Sequence, residues 1–179
     1  MTLSEHERDD EWMIAYQNGD DKKLGEIYNV LRQPIYSFIY RYSQDEQLSI
    51  DIVQDTFMKL QRYKHNYDPQ KGKIKSYLFQ IAYRLMITKI NRRKQWRKLL
   101  PFLSPTQLKT YDYTDKIAIR EAIVKLPNIQ RAVILLFYYH DMRQKEIAKI
   151  LDIPKGTVKS RLHMAIKNLK KEMEVDGNE

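Results

Sequence analysis

Asp51 and Asp55 stand four residues apart in the run Asp51-Ile-Val-Gln-Asp-Thr-Phe57. On a helix that spacing puts both carboxylates on one face, one turn apart. Such a pair can share a divalent cation, as a nuclease would require. No further acid, base or glycine-rich phosphate loop accompanies the pair, so a nuclease is not expected. With no cysteine in the chain, disulfides, thiolate metal sites and cysteine nucleophiles are excluded. The four histidines, His6, His65, His140 and His163, show no ligand spacing. The expectation is therefore a chain without catalytic residues, metal site, cofactor or small-molecule substrate.

The chemistry that does recur along the chain is cationic. From Arg84 to Lys98 there are seven basic residues (Arg84, Lys89, Arg92, Arg93, Lys94, Arg97 and Lys98), no acid, and Trp96 among them. Lys73 and Lys75 precede this run, together with the rings of Tyr63, Tyr67, Tyr77, Phe79 and Tyr83. Cations interleaved with flat rings suit single-stranded nucleic acid, the charges gripping the backbone and the rings stacking unpaired bases. The same pattern also suits a solvated helix end over a core of aromatics. The formal net charge of +9 favours a polyanionic partner, because phosphate contacts release counterions.

A second constellation covers Gln144 to Leu169, QKEIAKILDIPKGTVKSRLHMAIKNL. It fits a helix through Leu151, a tight turn at Asp152 and Ile153, and a second helix from Pro154 or Lys155. Ala148 is small where the helices must approach closely, and Asp152 occupies the turn position where a left-handed backbone is needed. Ile147, Leu151, Val158, Leu162 and Ile166 are expected to form the shared core. Lys155, Gly156, Thr157, Lys159, Ser160, Arg161 and His163 are then presented outward, as a recognition helix presents its residues to a major groove.

The elements that must position these groups are helical. Glycine and proline are scarce, at 5 and 6 residues, and helical periodicity runs from about Asp9 to Arg97 and from about Thr114 to Met173. An all-α protein of two small domains is expected: residues 1–98, a linker over 99–113 marked by Pro101 and Pro105, and residues 114–179. Within the first, Asp45 can cap a helix to about Tyr63 with Ile50, Val53, Phe57 and Leu60 buried, leaving Asp51, Gln54 and Asp55 opposite. Tyr67-Asp-Pro-Gln-Lys-Gly72 breaks the chain before a long helix with Ile74, Leu78, Ile81, Leu85 and Ile90 inward. Pro34 should end or kink an earlier helix near Leu31 to Gln33. The acidic start MTLSEHERDDEW reverses the pattern of a signal peptide, and no apolar run approaches the roughly 20 residues that span a bilayer. A cytoplasmic protein is expected.

Taken in order, these segments resemble the extracytoplasmic-function group of sigma-70-type RNA polymerase sigma factors. Ile27 to Tyr42, Asp51 to Phe57, Tyr67 to Gly72 and Tyr77-Leu-Phe-Gln-Ile-Ala82 look like region 2 of that family. Leu126-Pro-Asn-Ile-Gln-Arg131 and the helix-turn-helix with Gly156-Thr-Val-Lys-Ser-Arg-Leu162 look like region 4. The resemblance implies that Asp51, Gln54 and Asp55 dock on core RNA polymerase. It implies that Tyr67, Lys73, Lys75, Tyr77, Tyr83, Arg84, Lys89, Arg92, Arg93 and Trp96 recognise the melted −10 element of promoter DNA, where a base flipped from the stack can be read. Lys155, Gly156, Thr157, Lys159, Ser160, Arg161 and His163 would read the −35 element as duplex. A separate anti-sigma factor, often membrane-bound in such systems, is the implied inhibitor. Met164 and Ile166 fall where many relatives carry further basic residues, and the first eleven residues have no assignable counterpart. The main alternative is a helix-turn-helix regulator that binds an operator without being a polymerase subunit.

Overall fold

The computed structural model describes residues 5–99 and 115–176, with side chains from Arg8 to Trp96 and from Ala118 to Met173. Apart from Leu99, the expected linker lies outside the described residues. The described chain is helical, without a strand: α1 (Glu5–Gln17), α2 (Lys22–Ser43), α3 (Glu46–Arg62), a 3-10 turn (Lys64–Asn66), α4 (Ile74–Leu99), α5 (Asp115–Lys125), α6 (Asn128–Ile134), a π-helical turn (Leu135–Tyr139), α7 (Gln144–Leu151) and α8 (Lys155–Asp176). None of these helices is long and apolar enough to cross a membrane.

Helix α2 buries Ile27, Leu31, Ile35, Phe38 and Tyr42, a stripe at helical spacing. The helix does not end at Pro34, and α2 runs through it. The proline removes one backbone donor, but Leu31 before it and Ile35 after it are both anchored in the core, so the helix continues.

Helix α3 starts as expected, with the Asp45 side chain accepting from Leu48 N at 2.8 Å. Its buried stripe is Leu48, Ile52, Val53, Thr56, Phe57 and Leu60, and Ile50 is 38% exposed rather than inward. The correction follows from the true helical period, which places Leu48 and Ile52, not Ile50, above Thr56. In α4 the fully buried residues include Phe79, Ala82 and Met86 beside Ile74 and Leu78, whereas Ile81, Leu85 and Ile90 are only half-buried. This helix is covered on one side by α1, α2 and α3 and on another by α7, so its apolar face is wider than a single stripe.

The core is continuous between the two groups of helices. At its junction His140, from the second group, packs edge-on against Phe38 of α2 and Phe79 of α4, with ring centroids 5.8 and 5.0 Å away. Arg131 of α6 donates to Tyr42 O at 2.9 Å and to Leu126 O at 3.1 Å, a cation placed on carbonyls at helix C-terminal ends. Arg120 of α5 reaches Gln44 Oε1 and, at 3.1 Å, the Tyr40 hydroxyl.

Candidate polymerase and nucleic-acid interface

The loop between the 3-10 turn and α4 begins as a turn at Asp68, whose Oδ1 accepts from Gln70 N at 2.9 Å with Pro69 fixing the backbone between them. Tyr67 is buried, and its ring packs on that of Tyr77 with centroids 5.6 Å apart. Its hydroxyl donates to Asp10 Oδ1 at 3.0 Å, and the same oxygen accepts from Ile74 N, at the start of α4, at 2.7 Å. Burial, reinforced by the neighbouring Asp10 carboxylate, holds the Tyr67 phenol protonated far above its usual range. Gln17 Nε2 donates to Lys64 O at 2.8 Å and Tyr67 O at 2.9 Å, so α1 touches the loop at two further points.

Among the residues expected to meet parted strands, Lys73, Arg84, Arg92, Arg93 and Trp96 are exposed, Trp96 by 61%. Tyr83 is buried, and burial raises its phenol pKa. Two of the cations turn back onto α3: Lys89 Nζ lies 2.7 Å from Asp55 Oδ2, and Arg93 pairs with Asp45 at 2.5 Å. The acidic group and the basic group singled out separately in the sequence thus neutralise one another in part. Asp51 accepts from Gln47 Nε2 at 2.9 Å, and Gln54 is exposed beside it on the outer face of α3.

Helix α7 lies alongside α4 and meets it through a ladder of polar contacts. Ser76 Oγ donates to Glu146 Oε1 at 2.9 Å, Gln80 Nε2 donates to Lys149 O at 2.7 Å, and Arg84 approaches Asp152 to 4.0 Å. The spacing is i, i+4, i+8 on α4 against i, i+3, i+6 on α7, so the two helices run in the same direction. Lys149 Nζ also donates to Lys71 O, and Lys75 Nζ to His140 O at 3.1 Å. Lys75 and Arg84 are therefore engaged by the second group of helices.

The helix-turn-helix forms as expected. Asp152 adopts the left-handed conformation (φ 55°, ψ 49°) at the end of α7. Val158, Leu162 and Ala165 of α8 are buried against Ile147 and Leu151, while Ile166 is half-buried. Lys155, Gly156, Lys159, Ser160, Arg161 and His163 are exposed and Thr157 half-exposed on one outer face, a row of short and cationic side chains that can enter a groove.

Comparison with known proteins decides the family. Residues 27–97 match the model of sigma-70 region 2, and residues 116–169 that of sigma-70 region 4. The chain is 28% identical to the ECF RNA polymerase sigma factor SigM of Bacillus subtilis (strain 168) over 153 residues, 82% of this chain and 93% of that one. It is 30% identical to the RNA polymerase sigma factor SigV of the same organism over 141 residues, 76% of this chain and 82% of that one. The chain belongs to the sigma-70 family of sigma factors, in its extracytoplasmic-function group. Its fold is that of the sigma factor RpoE from Bartonella quintana, solved with the anti-sigma factor NepR: the TM-score is 0.73 at 21% identity, covering 87% of this chain and 99% of that one.

As a sigma factor, the protein directs promoter-specific initiation by RNA polymerase and is not an enzyme. The region 2 match covers α2 to α4 and the region 4 match covers most of α5 to α8. Sequence reasoning missed the residues that tie the sigma factor together over long separations, namely Asp10, Gln17, Ser76, Gln80, Arg120, Arg131, His140 and Glu146. Most are single polar residues with no local pattern, and their partners lie 47 to 89 positions away in the strongest cases.

Proposed function

We propose that residues 1–98 dock on core polymerase and hold the melted −10 element, that 99–113 form the linker, and that 114–179 read the −35 element as duplex. Asp51, Gln54 and Asp55 present the docking face. Lys73, Arg92, Arg93 and Trp96 meet the displaced strand from the outside, with Tyr67, Lys75, Tyr77, Tyr83, Arg84 and Lys89 behind them. Lys155, Gly156, Thr157, Lys159, Ser160, Arg161 and His163 enter the major groove.

The observation that carries this reading is the exposed cation-rich end of α4 on one group of helices, paired with an exposed recognition helix on the other. Unstacking costs roughly 1.4 kcal/mol per base step, and each base held on an aromatic surface returns about 1 to 3 kcal/mol. A base captured on the exposed ring of Trp96 therefore offsets part of a short bubble. Because α7 covers part of the −10 face of α4, engagement of DNA on that face separates the two groups of helices.

The protein acts in the cytoplasm, where core polymerase and promoters are. An anti-sigma factor is the inhibitory partner, by likeness to RpoE, whose solved complex contains one. The test is transcription in vitro from a broad template library with purified core enzyme. New start sites that appear only with this chain are expected, and their absence overturns the reading. A regulator acting without polymerase would instead bind its operator tightly on its own.

A further inference from the structure

Helix α1 lies ahead of residues 27–97 and has no part in the contacts assigned above, yet it makes most of the long-range side-chain hydrogen bonds to the segment from Lys64 to Ile74. We propose that α1 is the template on which the −10 reading loop takes its shape, and that Asp10 is its positioning residue. The proposal rests on the assignment of Tyr67 to Lys75 to −10 recognition.

One carboxylate oxygen closes both ends of the loop. Asp10 Oδ1 accepts from the Tyr67 hydroxyl at 3.0 Å and from Ile74 N at 2.7 Å. The second of these satisfies one of the orphan amides at the start of α4, as an N-cap does, but from a residue 64 positions away. A second latch works on the near side. Gln17 Nε2 holds the carbonyls of Lys64 and Tyr67, and Lys64 Nζ returns a bond to Tyr16 O at 3.1 Å. Met13 and Tyr16 are buried between these points, so α1 cannot slide along the loop.

A pocket that selects an extruded base must already have its shape when the base arrives, since ordering it during binding subtracts from the affinity. The loop has few means of ordering itself: Asp68 makes one local turn, and Gly72 has a positive φ of 155°. The clamp from α1 holds both ends of the loop, and Lys149 Nζ of α7 donates to Lys71 O between them. Asp10 is not a DNA contact, because its carboxylate would repel phosphate and its accepting oxygen is already taken by two donors.

The test compares Asp10→Ala, Asp10→Asn and Gln17→Ala in reconstituted holoenzyme. Transcription is measured on a mapped promoter, on the same promoter with −10 bases changed, and on one with −35 bases changed. Asn keeps an accepting oxygen at the Oδ1 position and Ala does not. Asp10→Ala is expected to lower the preference for the intact −10 element about tenfold, the effect of one charge-assisted hydrogen bond. Asp10→Asn restores most of it, and −35 preference and core affinity stay unchanged. Gln17→Ala gives a smaller loss of the same kind, and it reports on the template if Asp10→Ala fails to fold.

Hydrogen exchange of the free protein is the second readout. Amides of residues 67–76 should exchange faster in Asp10→Ala than in Asp10→Asn, with α8 unaffected. Equal −10 preference in all the variants, or equal exchange, overturns the proposal. Failure of the wild-type chain to start any transcript would sink the −10 assignment instead, while the exchange comparison would still decide whether Asp10 clamps the loop.

Discussion

Ser76 of α4 donates to Glu146 of α7 at 2.9 Å, while the other oxygen of the same carboxylate accepts from Arg143 N at 2.9 Å. Glu146 thus caps the first helix of the helix-turn-helix and ties that motif to α4, the helix proposed to bear the −10 residues. Replacing it with alanine removes both bonds. A loss of about 1 to 2 kcal/mol is expected, seen as a fall in thermal midpoint of a few degrees. Ser76→Ala should lose less, because the cap remains. Equal midpoints for wild type and Glu146→Ala would show that the contact is not formed in solution.

The absence of cysteine makes the ladder between α4 and α7 directly testable. Ser76→Cys combined with Glu146→Cys, joined by a short bis-maleimide, fixes the two groups of helices together. The joined protein is expected to lose promoter opening, read as fluorescence of 2-aminopurine in the −10 element, while the unjoined double variant retains it. Full opening by the joined protein would mean that α7 does not obstruct the strand.

Asp55 is 2.7 Å from Lys89, so Asp55→Ala has two effects. It removes an acid from the proposed docking face and frees Lys89 on the face proposed to meet DNA. Core-polymerase affinity should fall several-fold, and binding to nonspecific single strands should rise slightly and more visibly at low salt. Because the pair is half-exposed, its contribution to stability is at most about 1 kcal/mol. Unchanged affinity in a core-binding titration would remove Asp55 from the docking face.

Arg161 lies on the exposed face of α8 and makes no contribution to the core. Arg161→Ala should weaken duplex promoter binding by about 1 to 3 kcal/mol if it reads a base edge, with core binding spared. A uniform loss on all sequences, with a reduced salt slope, would instead mark it as a phosphate contact.

His140 sits between Phe38 and Phe79 with Lys75 and Arg41 nearby, and burial first, then these cations, lowers its pKa from 6.5 to about 4. The folded protein therefore holds it neutral while the unfolded chain takes up a proton below pH 6.5. Stability is full above that pH and is lost as pH falls towards 4, by at most about 3 kcal/mol. In denaturant titrations between pH 7 and 4, His140→Phe should flatten part of this slope. An identical slope in the variant would place the proton uptake elsewhere.

The helices, the cap at Asp45 and the left-handed turn at Asp152 were all legible in the sequence, because each depends on residues within one or two turns of the chain. The exposed cationic face of α8 and the acidic face of α3 were legible for the same reason: helical spacing decides which side chains share a side. The inward face of α4 was read too narrowly and Ile50 was misplaced, because burial depends on what packs against a helix as well as on its period. Pro34 does not end α2, since tertiary anchoring at Leu31 and Ile35 outweighs one missing donor. Only the tertiary structure brought Asp10 to Ile74, Lys89 to Asp55 and α7 to α4. Those pairings join residues too far apart for local propensity to govern. They are settled by which surfaces remain to be covered, and which polar groups remain to be satisfied, once the helices have formed.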